Sequence, residues 1–329
     1  MGGDHAPAAT IAGALLALGD SAIDAHVQLV GQAEVVRAEL ERQGGLPEAF
    51  ASRVQFVNAT QVIEMSDRPS AAVRGKRDSS MVVGLKLQAE GQSDGFVSAG
   101  NTGAQMAAST VVLRLHEGLT RPAIATLIPT DRGMPLVMLD AGANVDCSPQ
   151  ELVQFARLGA VYAEDVLGRA RPAVGLLSVG EEPEKGSLAV KEAHGLLKRS
   201  GLNFIGNVEG RDIPHGSCAH GDIDVVVCDG FTGNVVLKFY ESAAPMIFGL
   251  LVKHGAPKSS VDAVAHLFDY AQYGGAPLLG VRGVSIICHG KSSPEAIKNA
   301  IRVASVAVSN ELSAHIGRSI RITTPEGTL

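Results

Sequence analysis

The sequence predicts an α/β protein with a doubly wound, mostly parallel sheet. Short apolar runs rich in β-branched residues alternate along the chain with helical segments of ten or more residues. Turns of small residues follow five of the predicted strands, and α/β proteins bind their ligands at this carboxyl edge of the sheet. The five turns are residues 99–103, 140–144, 179–186, 229–234 and 289–293.

The composition is typical of an enzyme-like α/β protein of a reducing compartment. The 329 residues include 38 glycines, 46% hydrophobic residues and a formal net charge of −6. Lys and Arg form only short runs, which argues against a nucleic-acid partner. The four cysteines have neither disulfide nor C-x-x-C spacing. Because no signal peptide or spanning segment of ~20 apolar residues is predicted, we expect a cytoplasmic protein.

The first half of the chain predicts alternating helices and strands. Helices are predicted over residues 8–18, 33–43, 81–90 and 104–115, and strands over residues 27–30, 54–57, 95–98, 123–128 and 136–139. Residues 66–80 are polar and are predicted to form a loop. The chain begins on a glycine turn, Met1 to Pro7, which is unusual because such a turn normally follows a strand.

The second half is organised around residues 225–238. The run from Val225 to Cys228 predicts a strand buried on both faces. Asp229 and Gly230 end this run, and a helix is predicted from Asn234 onward. Elsewhere the pattern predicts a helix after residue 149, a strand over 173–178, a helix up to residue 200, a short strand over 203–206, a polar loop over 207–222, a strand over 284–289 and a last helix that begins at residue 294.

The turns carry side chains that suit an anion. Asn101, Asn144 and Asn234 supply amides, Thr102 and Thr232 supply hydroxyls, and Lys185 supplies a mobile cation. Such groups can hold a phosphate or stabilise the oxyanion of an acyl carbonyl without a strong base. The alternative is that Asn and Gly simply form turns.

Other motifs argue for or against specific chemistry. His5, beside Asp4 in a glycine turn, is the histidine candidate for a proton-handling role, the alternative being a hydrogen-bonded turn residue. The spacing of His215, Cys218, His220 and Cys228 fits no common zinc site, so no metal is predicted. The dinucleotide fingerprint, the P-loop and the serine elbow are all absent from the sequence, and no cofactor is expected.

Six strings, in order along nearly the whole chain, resemble the PlsX family of bacterial phosphate acyltransferases. They are M-G-G-D-H-A-P (1–7), S-A-G-N-T-G-A (98–104), L-D-A-G-A-N-V-D (139–146), N-F-I-G-N-V-E-G-R-D (203–212), D-G-F-T-G-N-V-V-L-K (229–238) and Y-G-G-A-P-L-L-G (273–280). The resemblance implies transfer of a fatty acyl group from acyl carrier protein to inorganic phosphate. It also implies a homodimer and a Rossmann-like three-layer α/β/α sandwich, related to the phosphotransacetylases and to isocitrate- and isopropylmalate-type dehydrogenases.

Together, resemblance and residue chemistry give a full set of expectations. One family domain is expected over residues 1–329, with a helical arm at about 238–272 that forms the dimer interface and contacts the inner face of the membrane. Arg74, Lys76 and Arg77, or Lys253 and Lys258, are the candidate docking residues for the acidic carrier protein. The site assignment is Lys185, Asn234 and His5 as catalytic, and Asp4, Asn101, Thr102, Asn144, Asp229, Thr232 and Gly233 as substrate-binding.

Two alternatives and two departures from the family remain open. The chain could be a phosphotransacetylase that uses acyl-coenzyme A, or an NAD-dependent dehydrogenase of the isocitrate type. Family members carry a strand before M-G-G-D, whereas this sequence starts at that methionine. The region between Lys238 and Tyr273 is also shorter than is usual in the family.

Overall fold

The computed structural model describes residues 1–268 and 270–321, except the side chains of Leu267 and Tyr270. The helices are α1 Ala8–Gly19, α2 Ala33–Arg42, α3 Pro69–Gly75, α4 Ser80–Ala89, α5 Thr102–Val112, α6 Pro149–Asp165, α7 Leu188–Leu197, α8 Gly230–Lys253, α9 Lys258–Leu267, α10 Pro294–Ser309 and α11 Leu312–Arg321. The strands are β1 Val27–Gly31, β2 Val54–Asn58, β3 Gly95–Ser98, β4 Ala123–Ile124, β5 Thr126–Ile128, β6 Leu136–Leu139, β7 Val174–Leu177, β8 Phe204–Val208, β9 Ser217–Cys218, β10 Gly221–Asp222, β11 Val225–Val227, β12 Ala276–Leu279 and β13 Val284–Ile287.

The chain divides into two compact units. The first unit contains Met1–Leu115 and Tyr270–Ser313, and the second contains His116–Asp269 and Ala314–Leu329. The first unit contains strands β1 to β3, β12 and β13, and the second contains strands β4 to β11. The expectation of one family domain over residues 1–329 concerns family membership and stays a prediction.

The second unit is built on a five-stranded sheet with the order β5-β6-β11-β7-β8. Strands β6, β11, β7 and β8 are parallel, and only the edge strand β5 runs antiparallel to its neighbour. All residues of β6 and β11 are buried, as the continuous apolar runs predicted. A hydrophobic core of this unit includes Met138 of β6 and Val226 of β11, together with Ile128, Val208 and Ile223. The mostly parallel α/β architecture is therefore present in this unit.

The first unit contains two parallel strand pairs. Strand β1 pairs with β2, and β3 pairs with β13, which in turn pairs antiparallel with β12. Helices α1 and α10 pack on one another, and α10 also packs on β3 and β13. The cap of α10 is as predicted: the Ser293 hydroxyl accepts a hydrogen bond from the nitrogen of Ala296, and Pro294 is the first helical residue.

Three local predictions were wrong. The predicted loop over residues 66–80 contains α3, which begins with a proline at its first position. The predicted loop over 207–222 contains the two-residue strands β9 and β10, paired antiparallel. Helix α8 begins at Gly230 rather than Asn234, because the Asp229 side chain caps it. The tail after residue 321, expected to be frayed, lies outside the described residues.

Helices α8 and α9 occupy most of the expected arm. The ring of Phe248 in α8 contacts the ring of Phe268, the residue after α9, edge to face, with the ring centroids 5.6 Å apart. Much of the apolar surface of α8 is exposed, namely Phe239, Met246, Ile247, Leu250, Leu251 and Val252. Within the described part of the chain, α8 is the one helix long and apolar enough to cross a bilayer, judged by length and composition alone.

Candidate functional site

The sheet of the second unit brings three of the predicted turns together. They follow β6, β11 and β7, which are neighbours in the sheet and run in the same direction. Val227, the last residue of β11, pairs with Leu139 of β6 and Leu176 of β7. The turns at 140–144, 179–186 and 229–234 therefore lie side by side at one carboxyl edge, where parallel sheets bind ligands.

Asp140 organises the turn after β6. Its buried carboxylate accepts hydrogen bonds from the backbone nitrogens of Ile124, Ala143 and Asn144 at 3.0, 3.1 and 2.6 Å. Asn144 Nδ2 adds a fourth at 2.9 Å. Burial raises the pKa of Asp140, and the hydrogen bonds to its charged form act in the opposite direction. The sequence assignment omitted Asp140, although an acidic residue directly after a buried strand is the signal that could have identified it.

The side-chain amide of Asn144 donates its hydrogen bonds within the protein. Besides Asp140, its Nδ2 donates to the carbonyl oxygen of Pro122 at 2.8 Å, and the residue is buried. Its own carbonyl oxygen accepts a hydrogen bond from the nitrogen of Gly230 at 2.7 Å. Asn144 was expected to bind substrate through its amide. The geometry instead makes it a residue that holds two turns together.

The first turn of α8 is closed by Asp229. One carboxylate oxygen accepts from the backbone nitrogen of Thr232 and the other from its hydroxyl, both at 2.8 Å. The backbone nitrogen of Thr232 is therefore used by this cap and is not free for an anion. Two glycines allow close packing here: a side-chain carbon on Gly233 would overlap the carbonyl oxygen of Asp140, and one on Gly230 would lie 2.6 Å from that of Asn144.

Asn234 is the amide of this edge that remains available. Its side chain is exposed and makes no hydrogen bond to any residue in the ranges 1–268 and 270–321. A side-chain carbon on Gly142 would lie 3.5 Å from Cβ of Asn234, so this residue faces the turn after β6. An unpaired amide can donate to an oxygen of a bound anion.

Lys185 lies in the turn after β7. Its side chain is exposed and has no ion-pair partner among the described residues. Asn207 and Ser178, which the sequence did not single out, also lie at this turn. Asn207 Nδ2 donates to the carbonyl oxygen of Glu182 at 2.8 Å, and Lys185 donates its backbone nitrogen to the same oxygen at 3.0 Å. The hydroxyl of Ser178 is buried without a partner in the described part of the chain.

A second group of predicted residues lies in the first unit. The nitrogen of Asp4 donates to the carbonyl oxygen of Gly290 at 2.9 Å, which joins the amino-terminal turn to the turn after β13. Asp4 and His5 are exposed, and the His5 ring has no hydrogen-bond partner among the residues that the structure describes. Thr102 is the exposed first residue of α5.

Asn101 serves the fold of the first unit. Its Oδ1 accepts from the nitrogen of Ala104 at 2.9 Å and so caps α5. Its Nδ2 donates to the carbonyl oxygens of Met65 and Asp67 at 3.0 and 3.1 Å. Like Asn144, it was expected to line a ligand site, but its amide groups already have protein partners.

The cysteines near the second unit's edge are poor nucleophiles. Burial, joined by the charges of Asp140, Glu151 and Asp229, raises the pKa of the Cys147 thiol to about 12. Burial also raises the pKa of the Cys228 thiol well above its ordinary value. A thiol with such a pKa is protonated near neutral pH and does not attack an acyl carbonyl. Within the described residues, no group of three or more His, Cys, Asp and Glu side chains could hold a metal ion.

The chain is similar to known proteins in sequence and in fold. The family model described as "Fatty acid synthesis protein" matches residues 1–315. A phosphate acyltransferase from Desulfitobacterium hafniense (strain Y51) is 48% identical, over 97% of this chain and 95% of its own. One from Pelotomaculum thermopropionicum is 46% identical, over 97% of this chain and 93% of its own. Among solved structures, a phosphotransacetylase from Streptococcus pyogenes matches with a TM-score of 0.59 at 17% identity, over 85% of each chain. This likeness confirms the predicted fold class.

Proposed function

The chain belongs to the PlsX family of phosphate acyltransferases, and from this we propose that it transfers a fatty acyl group from acyl carrier protein to inorganic phosphate. The observation that carries the proposal is the pair Lys185 and Asn234. Lys185 lies in the turn after β7, Asn234 lies at the start of the helix that follows the neighbouring strand β11, and both side chains lack partners among the described residues. A free cation and a free amide donor at one edge of a sheet suit a phosphate dianion.

The reaction needs positioning rather than a covalent intermediate. A phosphate oxygen attacks the carbonyl carbon of the thioester and forms a C–O bond. The tetrahedral intermediate then expels the carrier thiolate as the C–S bond breaks, and the thiolate takes up a proton. Because a thioester is already activated, holding phosphate against the carbonyl and stabilising the oxyanion are the main tasks of the protein.

Each residue of the second unit has a distinct role in this proposal. Lys185 holds the phosphate by charge, and Asn234 donates to phosphate or to the developing oxyanion. Thr232, Asp229 and Gly233 form the turn that presents Asn234. Asn144 keeps this turn attached to the turn after β6.

We assign the residues of the first unit by exposure. His5 is the candidate proton handler or oxyanion donor, because its ring is exposed in a glycine turn fixed through Asp4. Thr102 is exposed and keeps its expected substrate-binding role. Asn101 supports the start of α5, so its effect on the reaction is indirect.

Two other activities are separated by direct assay. A phosphotransacetylase would release thiol from acyl-coenzyme A, and a dehydrogenase would change the nicotinamide absorbance with hydroxy acids. We expect phosphate-dependent thiol release from a long-chain acyl carrier protein, at a kcat/KM well above that with the matching acyl-coenzyme A. Equal or faster turnover of the coenzyme A ester would overturn the assignment of the acyl donor.

Exposed cations are the proposed contact for the acidic carrier protein. Arg74 and Arg77 are exposed at the end of α3, and Lys253 and Lys258 are exposed in the arm. Lys76 leaves the candidate set, because its Nζ contacts Asp67 at 2.5 Å and the carbonyl oxygen of Val62 at 2.8 Å. Charge reversal of either pair should raise the KM for acyl carrier protein at low salt and leave the KM for phosphate unchanged. If both reversals leave the KM for acyl carrier protein unchanged, the docking assignment fails.

The arm is the proposed dimer interface. The exposed apolar side chains on α8 need a cover, and the same surface of a second copy supplies one with twofold symmetry. A membrane surface is the competing cover, supported by the length and composition of α8. We propose a cytoplasmic homodimer, with contact to the inner face of the membrane as the second use of this surface.

A further inference from the structure

Exposed apolar side chains collect at the carboxyl edge of the second unit's sheet, where three turns lie side by side. Val145 follows the turn after β6, Val179 lies in the turn after β7 and Leu188 just beyond it, and Phe231 and Val235 lie at the start of α8. We call these five side chains the apolar rim. Isolated apolar side chains are common on protein surfaces, whereas a cluster of them is typical of a binding surface.

Val179 and Leu188 flank Lys185 in the turn after β7. They are 82% and 85% exposed, the two highest values among the exposed large hydrophobic side chains that the structure describes. The turn between them is tight, since a side-chain carbon on Gly180 would lie 3.0 Å from Cγ of Lys185. Two apolar side chains therefore stand in water at the two ends of the turn that carries the free cation.

Phe231 and Val235 lie on the outer face of α8. Val236 and Tyr240 of this helix pack against the core of the second unit, whereas Phe231 and Val235, one helical turn apart, are exposed. The packing of α8 on its sheet thus leaves these two side chains uncovered. Asn234 directly precedes Val235, so the free amide donor and the apolar side chains belong to the same turn of the helix.

A backbone hydrogen bond brings Val145 close to Phe231. The carbonyl oxygen of Asn144 accepts this bond from the nitrogen of Gly230 at 2.7 Å. Val145 follows the acceptor residue and Phe231 follows the donor residue, so each lies one residue from the same bond. Because β7 is the other neighbour of β11, the apolar rim spans the same three strand ends as the proposed phosphate site.

An alkyl chain is the occupant that fits the apolar rim. This occupant follows from the proposed function, in which the carbonyl carbon of the thioester meets phosphate at Lys185 and Asn234. The alkyl chain is bonded to that carbon, so its first methylenes lie within a few bonds of these two side chains, and contact with the rim removes them from water. A stable protein interface takes roughly 20–30 residues on each side, whereas a single alkyl chain needs only a few contacts.

We propose that the apolar rim binds the alkyl chain of the acyl donor and makes the enzyme select long chains. Phe231, with the largest side chain of the rim, and Leu188, its most exposed member, are the specificity-determining residues. Val145, Val179 and Val235 extend the contact. Complete burial of one methylene improves binding about fourfold, so the preference for long chains grows with each methylene that contacts the rim. A short acyl group reacts at the same atoms but lacks these contacts.

Binding of β-ketophosphonates tests the rim without the reaction. In these probes a methylene replaces the bridging oxygen of an acyl phosphate, so they carry a phosphonate and an acyl carbonyl but cannot transfer the acyl group. We expect calorimetry to show that the wild type binds the octyl probe about tenfold more tightly than the butyl probe. Phe231→Ser and Leu188→Ser should each lower this affinity ratio about threefold. Val111→Ser, which replaces an exposed valine on α5, is the matched control and should keep the wild-type ratio.

The binding measurement also identifies the results that would overturn the rim. The unfolding midpoints of the variants should stay close to wild type, because the replaced side chains are exposed. A wild-type affinity that does not depend on chain length, or an unchanged ratio in both rim variants, would refute the proposal. An unchanged ratio together with loss of the dimer would assign these side chains to the subunit interface instead.

Turnover separates the rim from the proposed function. We expect the ratio of kcat/KM for decanoyl over butyryl acyl carrier protein to fall in Phe231→Ser and Leu188→Ser and to stay at the wild-type value in Val111→Ser. A KM for acyl carrier protein that rises equally at both chain lengths, with unchanged probe affinities, would assign the rim to carrier docking and refute alkyl-chain binding. Wild-type protein that releases no thiol, yet shows the expected probe affinities, would refute the proposed function and support the rim.

Discussion

The backbone nitrogen of Gly230 donates a 2.7 Å hydrogen bond to the carbonyl oxygen of Asn144. This bond joins the first turn of α8 to the turn after β6, two segments far apart in sequence. Asp140 stabilises this junction, because its carboxylate accepts hydrogen bonds from the backbone nitrogen and the side-chain amide of Asn144. The exposed Asn234 is therefore carried on a rigid support, which is what an oxyanion donor requires.

Lys185 and Asn234 should matter for turnover and not for folding. Removing one preorganised donor to an oxyanion lowers the rate by about 10²–10³, or roughly 2.7–4 kcal/mol. We expect Lys185→Ala and Asn234→Ala each to lower kcat/KM on this scale, with unfolding midpoints close to wild type, because both side chains are exposed. Lys191→Ala, an exposed lysine on α7, is the matched control. Near-normal turnover of both variants at saturating phosphate would refute the assignment.

Asn144→Ala should behave differently from Asn234→Ala. The substitution leaves the carbonyl oxygen of Pro122 and the Asp140 carboxylate each short of a buried donor. An unsatisfied buried group costs about 1–3 kcal/mol, and more when it is charged. We therefore expect urea denaturation to show a clear loss of stability for Asn144→Ala, whereas Asn234→Ala stays within about 0.5 kcal/mol of wild type. Equal stability of the two variants would contradict the structural role of Asn144.

The cysteines should be dispensable for the chemistry. With a pKa of about 12, the Cys147 thiol is ionised in only about one molecule in 10⁴ near pH 8. We expect Cys147→Ser to retain turnover. Intact-mass spectrometry after incubation with the acyl donor alone should show no acyl adduct. An acyl-cysteine adduct would require a covalent mechanism in place of direct attack by phosphate.

The raised pKa of Asp140 fixes the direction in which the stability lost in Asp140→Asn changes with pH. As the pH rises, Asp140 loses its proton in the unfolded chain first, near its ordinary pKa, and in the folded protein only at higher pH. Between these two pKa values the folded state binds more protons, so the contribution of Asp140 to stability falls with rising pH. The stability lost in Asp140→Asn should therefore be larger at the acid end of this window than above it. Urea denaturation across the acid range measures this difference, and a loss that grows with pH would contradict the sign.

The arm prediction is sharpened by the positions of its side chains. The apolar run over residues 246–252, taken alone, would favour Phe248→Glu with Leu251→Glu as the pair that splits a dimer. Phe248, however, packs on Phe268 within the arm, so its replacement would also disturb α8 against α9. Ile247 and Leu251 are exposed one helical turn apart, which makes them the better pair.

We expect Ile247→Glu with Leu251→Glu to convert the dimer to a monomer. Each buried side chain of this size contributes about 1.5–3 kcal/mol, and twofold symmetry doubles the loss. Light scattering after size exclusion at several concentrations measures the change, and Ser259→Glu, an exposed position on α9, is the control for added charge. A wild-type monomer, or a double variant that stays dimeric, would refute the interface.

The strands and the shared edge were predictable because burial dictates their sequence. β6 and β11 are continuous apolar runs, and parallel strands bring their following turns to one edge. The start of α8 was not predictable in the same way, since glycines at 230 and 233 obscure the helical pattern. Only the contact between Asp229 and Thr232 reveals the cap.

The roles of the asparagines could not be read from the sequence. Asn101, Asn144 and Asn234 occupy similar turns, yet the first two use their amides inside the protein and the third is free. Which amide is free depends on carbonyl oxygens far away in the chain, such as those of Met65 and Pro122. Asp140 differs from them, because three of its four donors belong to Ala143 and Asn144 and only Ile124 is distant, so its place directly after a buried strand could have identified it.

The contact of Gly233 with the carbonyl oxygen of Asp140 limits how this enzyme can be altered. No side chain fits at 233, and one at 230 would collide with Asn144, so two of the first four positions of α8 accept only glycine in this arrangement. Phe231 and Asn234, on the same turn, are exposed and unconstrained by such contacts. Directed evolution toward other acyl donors is therefore channelled into position 231, because Gly230 and Gly233 have no room for a side chain and Asn234 is the proposed donor.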